Sequence, residues 1–203
     1  MKYNIKRNWI IGISIFILLI FYLFKNLSES VRVFGFIFGI FLFYAIDHMF
    51  EVDFEFRHYI FIIIILSFGI LLSPLYFLSE SYDKMLHFIM PILASFLVFF
   101  IVDKQKISFQ WKLLIAFMFI LSFLAIHEIG EYLLDLLFDW KLQGVYIRDI
   151  SGIEKLNLVL DKNSDTMIDM ILGMLGGGIF VLGKSAVHIY KRKFDKRGKS
   201  KYF

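Results

Sequence analysis

Six apolar runs, each of the order of the roughly 20 residues a helix needs to cross a bilayer, recur along this 203-residue chain. They cover 9–24, 31–47, 59–78, 85–102, 113–137 and 165–190. Backbone N–H and C=O groups in lipid must be satisfied within the segment, which selects helices for such runs. An ordinary soluble domain is ~45 to 50% apolar, whereas this chain is 59% hydrophobic with a mean hydropathy of +0.73. The expected fold is all-α: a polytopic transmembrane helical bundle of about six spans, one integral membrane domain over 1–203. Pro74 should kink the third run near its end. The first run follows Lys2, Lys6 and Arg7 as in a signal peptide, but no small-residue cleavage pattern follows it, so it reads as a retained span.

Charge orients the bundle. Counted on alternate sides of six spans, Lys and Arg number fourteen on the side of the termini and seven on the other. The positive-inside rule then places both termini in the cytoplasm, with the protein in the cell (inner, cytoplasmic) membrane. Seven of the 22 basic residues lie in the tail 191–203, directly after the sixth run. That position fits anionic lipid headgroups better than nucleic acid, despite a net charge of +4. With no cysteine, disulfides, thiolate metal sites and thiol nucleophiles are excluded. The stretch Gly178 to Ser185 matches the spacing of a phosphate-binding loop, but the intervening Ile179 to Leu182 are bulky and apolar and no strand precedes them. No nucleotide or haem is expected. Lys184 is expected to snorkel to the surface, and small-faced Gly173, Gly176, Gly177 and Gly178 to serve close helix packing. Asp47, His48, Glu51, Asp53, Glu55 and His58 read as a solvated loop between spans two and three.

Misplaced charges carry what the sequence says of function. Asp83 and His87 open span four, His127, Glu128, Glu131 and Asp135 close span five, and Asp165 and Asp169 open span six. The orientation puts all three ends in the outer leaflet, with His127 to Glu131 one to two turns below the end of their helix. Spacing of i, i+4 pairs Asp83 with His87, His127 with Glu131, Glu131 with Asp135, and Asp165 with Asp169 on shared faces. Ionisable groups inside spans cost ~2.5 to 3.5 kcal/mol each on insertion scales and mark functional sites by default. Six carboxylates against Lys84 need compensation by bound cations, protons, or Arg148 and Lys155 from the outer loop. Imidazole with carboxylate suits a divalent metal ion, for which His87, His127, Glu131, Asp165 and Asp169 are the candidate ligands. Glu128 is the candidate general base, with Asp83 beside it as a catalytic acid–base group. Lys84 and Arg148 would meet an anionic group of the substrate. The plainer alternative is a set of structural ion pairs holding three helices together.

Tyr82-Asp83-Lys84-x-x-His87-Phe88, Glu128-x-x-Glu131-Tyr132 and Asp165-Thr166-x-x-Asp169-Met170, in this order, resemble the YjdF-type bacterial inner-membrane proteins and, more loosely, the VanZ-like group. The resemblance covers about 82–177. It implies that Asp83, His87, Glu128, Glu131, Asp165 and Asp169 share one polar site. His127 stands where an aromatic residue is expected and Ser164 where a tryptophan is, so His127 reads as an addition local to this chain. No reaction comes with the resemblance, although the VanZ-like link to glycopeptide tolerance points to the cell surface. His127-Glu128-Ile129-Gly130-Glu131 also resembles the zinc-protease helix, but Glu131 replaces its second histidine. Three functions stay open: a metal-dependent hydrolase or transferase on a lipid or envelope precursor, a proton- or cation-coupled transporter, and a non-catalytic scaffold or headgroup-binding module.

Overall fold

The structure, a computed structural model, describes residues 2–24, 27–148 and 156–199. Side chains are described over 3–18, 32–148 and 156–194. Helices form wherever the apolar runs predict them: α1 (Lys2–Phe24), α2 (Leu27–Met49), α3 (Phe56–Leu66), α4 (Glu80–Asp103), α5 (Phe109–Phe138) and α6 (Lys162–Lys199). Among the described residues, four have the length and apolar character to cross a membrane: 32–49, 80–103, 109–138 and 162–194. The fold is an all-α helical membrane bundle.

The boundaries differ from the sequence reading in three places. The third run is not one α-helix: after α3 the backbone widens into a π turn at Ser67–Leu71 and then tightens into a 3-10 turn at Ser73–Phe77 around Pro74. The distortion thus starts seven residues ahead of the proline. Second, α6 does not stop at Tyr190 but carries the helix into the basic tail as far as Lys199, and the rest of that tail lies outside the described residues. Third, the connection between α5 and α6, read from the sequence only as an outer loop, holds a two-stranded antiparallel hairpin, β1 (Val145–Arg148) with β2 (Leu156–Leu160). The phosphate-loop spacing falls inside unbroken α6, in keeping with a chance match. Lys184 ends over the faces of Phe99, Phe96 and Phe180 at 4.6, 5.6 and 5.7 Å, a cation–π cage more than a free snorkel.

The chain divides into two compact units, Met1–Ser79 and Glu80–Phe203. The first is built around Ile10, Phe36, Ile40 and Phe54, all at most 2% exposed. Here the solvated-loop expectation fails for Asp47 and His58, which are 0% and 3% exposed. Left-handed backbone at Glu51 and Asp53 folds the following turn back. Asp47 then accepts from Phe54 N at 2.9 Å, Tyr59 OH at 2.5 Å and Lys6 Nζ at 2.6 Å. Acidic residues at a helix end read as solvent-facing only until a partner arrives from another helix, and Lys6 of α1 is that partner. Tyr59→Phe removes one charge-assisted bond and should cost about 1.5–3 kcal/mol, read as a lowered thermal midpoint of the purified protein in detergent.

The second unit is a three-helix core of α4, α5 and α6, with Phe99, Leu113, Ala116 and Phe180 packed at one end. Gly176 lets α6 approach the backbone carbonyl of Phe88 on α4, and Gly173 makes room for Leu124 of α5. Small residues permit such contact in lipid, where there is no hydrophobic driving force between helices. At the other end lie the start of α4, the last turns of α5 and the start of α6.

Candidate functional site

Each helix brings its acids to that end for a local reason. Glu80 and Asp83 stand in the first turn of α4 and Asp165 in that of α6, where the partial positive charge of a helix N-terminus favours carboxylates. Asp161 caps α6 by accepting from Ser164 N at 3.1 Å. Hydrogen bonds from the Ser164 hydroxyl and backbone hold the Asp161 carboxyl below its usual range. Pro91 sits inside α4 and cannot donate the i to i−4 bond to the carbonyl of His87, which loosens the helix at the level of the site. Because α5 runs to Phe138, Glu131 and His127 lie about 10 and 16 Å along the axis from its end. Glu131 thus sits within the one to two turns that the sequence suggests, and His127 about one turn deeper.

The predicted residues do meet, and they sort into two groups joined by His87. In the first, the Lys84 ammonium reaches Asp169 Oδ1 and Oδ2 at 2.8 and 2.9 Å, Asp83 Oδ2 at 3.1 Å, and Asp165. Three carboxylates from two helices therefore share one cation. In the second, His127 Nδ1 lies 3.7 Å from Glu131 Oε1, and its ring stands edge-on to that of His87 with centroids 5.4 Å apart. Between them, His87 presents Nε2 to Asp83 at 3.5 Å and Nδ1 to Glu128 at 3.8 Å. One donor atom each from His87, His127 and Glu131 lies within 4.8 Å of the others, and so does one each from Asp83, His87 and Asp169.

Glu128 completes the picture. Its residue is 5% exposed, and its Oε1 is buried without a hydrogen-bond partner. His87 Nδ1 stands 3.8 Å from this oxygen, beyond hydrogen-bond reach; since buried polar atoms are nearly always paired, an oxygen so left suits a cation or a donor from outside the chain. The observed donors near it, two imidazoles and a carboxylate, are those a zinc or other first-row transition ion takes. The formal charge agrees: Asp83, Asp165, Asp169, Glu128 and Glu131 face one fixed cation, Lys84.

Other predicted residues fall elsewhere. Asp135 accepts from Leu142 N at 2.7 Å, Gln143 N at 3.2 Å and Lys162 Nζ at 2.9 Å, which makes it an anchor for the chain leaving α5. Arg148 is exposed at the far end of β1, opposite Leu156. It lies four residues from Gly144, whose N–H donates to Asp165 Oδ2 at 2.7 Å, or about 13 Å along the strand. The hairpin therefore touches the site through its root and not through Arg148, and Lys155 lies outside the described residues. Sequence reasoning misses the Gly144 amide because nothing in residue type announces a backbone donor. Its one signal is the glycine itself, which adopts φ +87° where the chain turns into β1.

Against known proteins, a family model described as a predicted membrane protein (DUF2238) matches residues 7–189. No curated protein and no solved structure matches the chain.

Proposed function

The chain belongs to this family of predicted membrane proteins, and from that premise we propose that it holds a divalent metal ion in the membrane and acts as a hydrolase or transferase on a lipid or envelope precursor. The observation that carries the reading is the orphaned Glu128 oxygen beside the converging donors of His87, His127 and Glu131. These three residues would hold the ion. A metal so held supplies Lewis acidity toward a phosphoryl or ester oxygen and a bound water of lowered pKa. Glu128, whose Oε1 lies 3.8 Å from His87 Nδ1, would serve as the general base, accepting a proton at that oxygen. Asp83 orients His87 from its other nitrogen, an outer partner that fixes tautomer and ring position. Asp165 and Asp169, with Lys84, form the neighbouring ion-paired wall. The narrower kinship with YjdF-type proteins rests on the three motifs, and the outer-leaflet position on the count of basic residues.

Metal analysis tests this directly. The purified wild-type protein should carry about one divalent metal per chain, and Glu131→Gln should lose it while staying folded. A metal-free wild-type protein overturns the reading.

One observation favours a second reading. The run Asp83, His87, Glu128 places an imidazole between two carboxylates, the arrangement a proton relay uses in coupled transport. Reconstituted protein that dissipates a pH gradient across liposomes, and ceases to when His87 is replaced by glutamine, would favour transport over hydrolysis.

A further inference from the structure

The site is covered on the side of the α5–α6 connection and open on the outer surface of α5. Over the start of α6, Gly144 N binds Asp165, Gln143 Nε2 donates to Thr166 Oγ1 at 3.3 Å, and Asp135 holds the amides of Leu142 and Gln143. Gly144 and Val145 are themselves buried beneath the hairpin root. Under that cover the side chains of Asp165 and Asp169 are 4% and 1% exposed. The most exposed member of the site is His127, at 45%. It borders Phe123 and Ile126 on the outer surface of α5, which are 54% and 66% exposed and apolar. Such a surface in a membrane helix faces acyl chains.

Gly130 supports the same direction. It lies three residues from His127 and next to Glu131, and a side chain built on it meets nothing within 4 Å. Glycine within a helix costs about 1 kcal/mol relative to alanine. Gly173 and Gly176 repay that cost with close packing, whereas Gly130 meets no neighbour and leaves a notch in the α5 surface between His127 and Leu133, beside Glu131.

From this geometry we infer that the site draws its substrate sideways from the bilayer through the notch at Gly130 and His127. The substrate class is then a chain-bearing amphiphile: its polar head reaches Glu131 and His87 while its hydrocarbon stays in the leaflet. The route follows from exposure alone, and the class rests on the metal-dependent reading above.

The chain has no cysteine, so single cysteines carry spin labels without background. In phosphatidylglycerol–phosphatidylethanolamine liposomes, labels at Gly130→Cys and Glu131→Cys should relax with lipid-soluble oxygen and ignore water-soluble nickel-EDDA. A label at Gln143→Cys should show the reverse. Nickel reaching position 131 as readily as 143, or neither relaxant reaching 131, overturns the lateral route. In metal-loaded protein labelled at Phe123→Cys, which leaves position 130 a glycine, dodecyl phosphate should immobilise the label and glycerol phosphate should not. Immobilisation by both, by neither, or by glycerol phosphate alone overturns the amphiphile class. Gly130→Leu, whose Cβ meets nothing within 4 Å, should retain the fold and the metal yet protect the same Phe123→Cys label from the effect of dodecyl phosphate; an undiminished effect overturns the route. A metal-free protein whose labels still follow the oxygen pattern leaves the route standing and removes only the metal reading.

Discussion

Lys84→Met should cost the second unit about 3–5 kcal/mol, the usual consequence of removing one partner from a buried ionic group. Its ammonium is the shared counter-ion of Asp83, Asp165 and Asp169, and the latter two are almost wholly withdrawn from solvent. Without it, three carboxylates on α4 and α6 face one another across a short gap. The measurement is a thermal midpoint in detergent, which should fall steeply for Lys84→Met and recover in part when Asp169→Asn is added. A Lys84→Met protein as stable as the parent would show that the cluster does not rely on this cation. The result would also separate Lys84 from the substrate-binding role that its charge alone suggests.

The second large effect is steric. Gly176→Ala places a methyl group against the backbone carbonyl of Phe88, and a backbone atom cannot rotate away as a side-chain end can. Overpacking of this kind costs about 3 kcal/mol when helices must separate. Since α4 and α6 supply Lys84, His87, Asp165 and Asp169, their displacement should also remove metal retention. Gly178→Ala is the matched control, because nothing lies within 4 Å of that position. It should leave size-exclusion profile and melting unchanged, whereas Gly176→Ala should broaden the one and depress the other.

How much of this was readable in advance depends on what kind of interaction made each feature. The helices follow from apolar run length, a local property, and so does the break near Pro74. The meeting of Asp83, His87, Glu128, Glu131, Asp165 and Asp169 was legible because three helix ends carried charge at helical spacing on one predicted side. Which acid met which base was not. Lys84 is adjacent to Asp83 in sequence, yet it reaches both carboxylate oxygens of Asp169, 85 residues away, and Asp165 as well. Asp135 was grouped with the site by its i, i+4 relation to Glu131, but the amides of Leu142 and Gln143 claim it. Asp47 was assigned to water for want of a visible partner, and Lys6 is 41 residues distant. Pairings over such separations are set by packing, which periodicity does not encode. The hairpin was missed because its strands are four and five residues long, too brief for alternation to stand out.

The broken third run bears on where such a chain can reside. Its regular part with the π turn, 56–71, amounts to 16 residues and extends about 24 Å, against a hydrocarbon thickness of about 30 Å. The Pro74 turn can make up the difference only with fewer ideal backbone bonds, so thinner bilayers relieve a mismatch that thicker ones impose. Membrane thickness, set by acyl-chain length, thus becomes a variable to which the first unit should respond more than the second, whose three helices are each long enough to tilt.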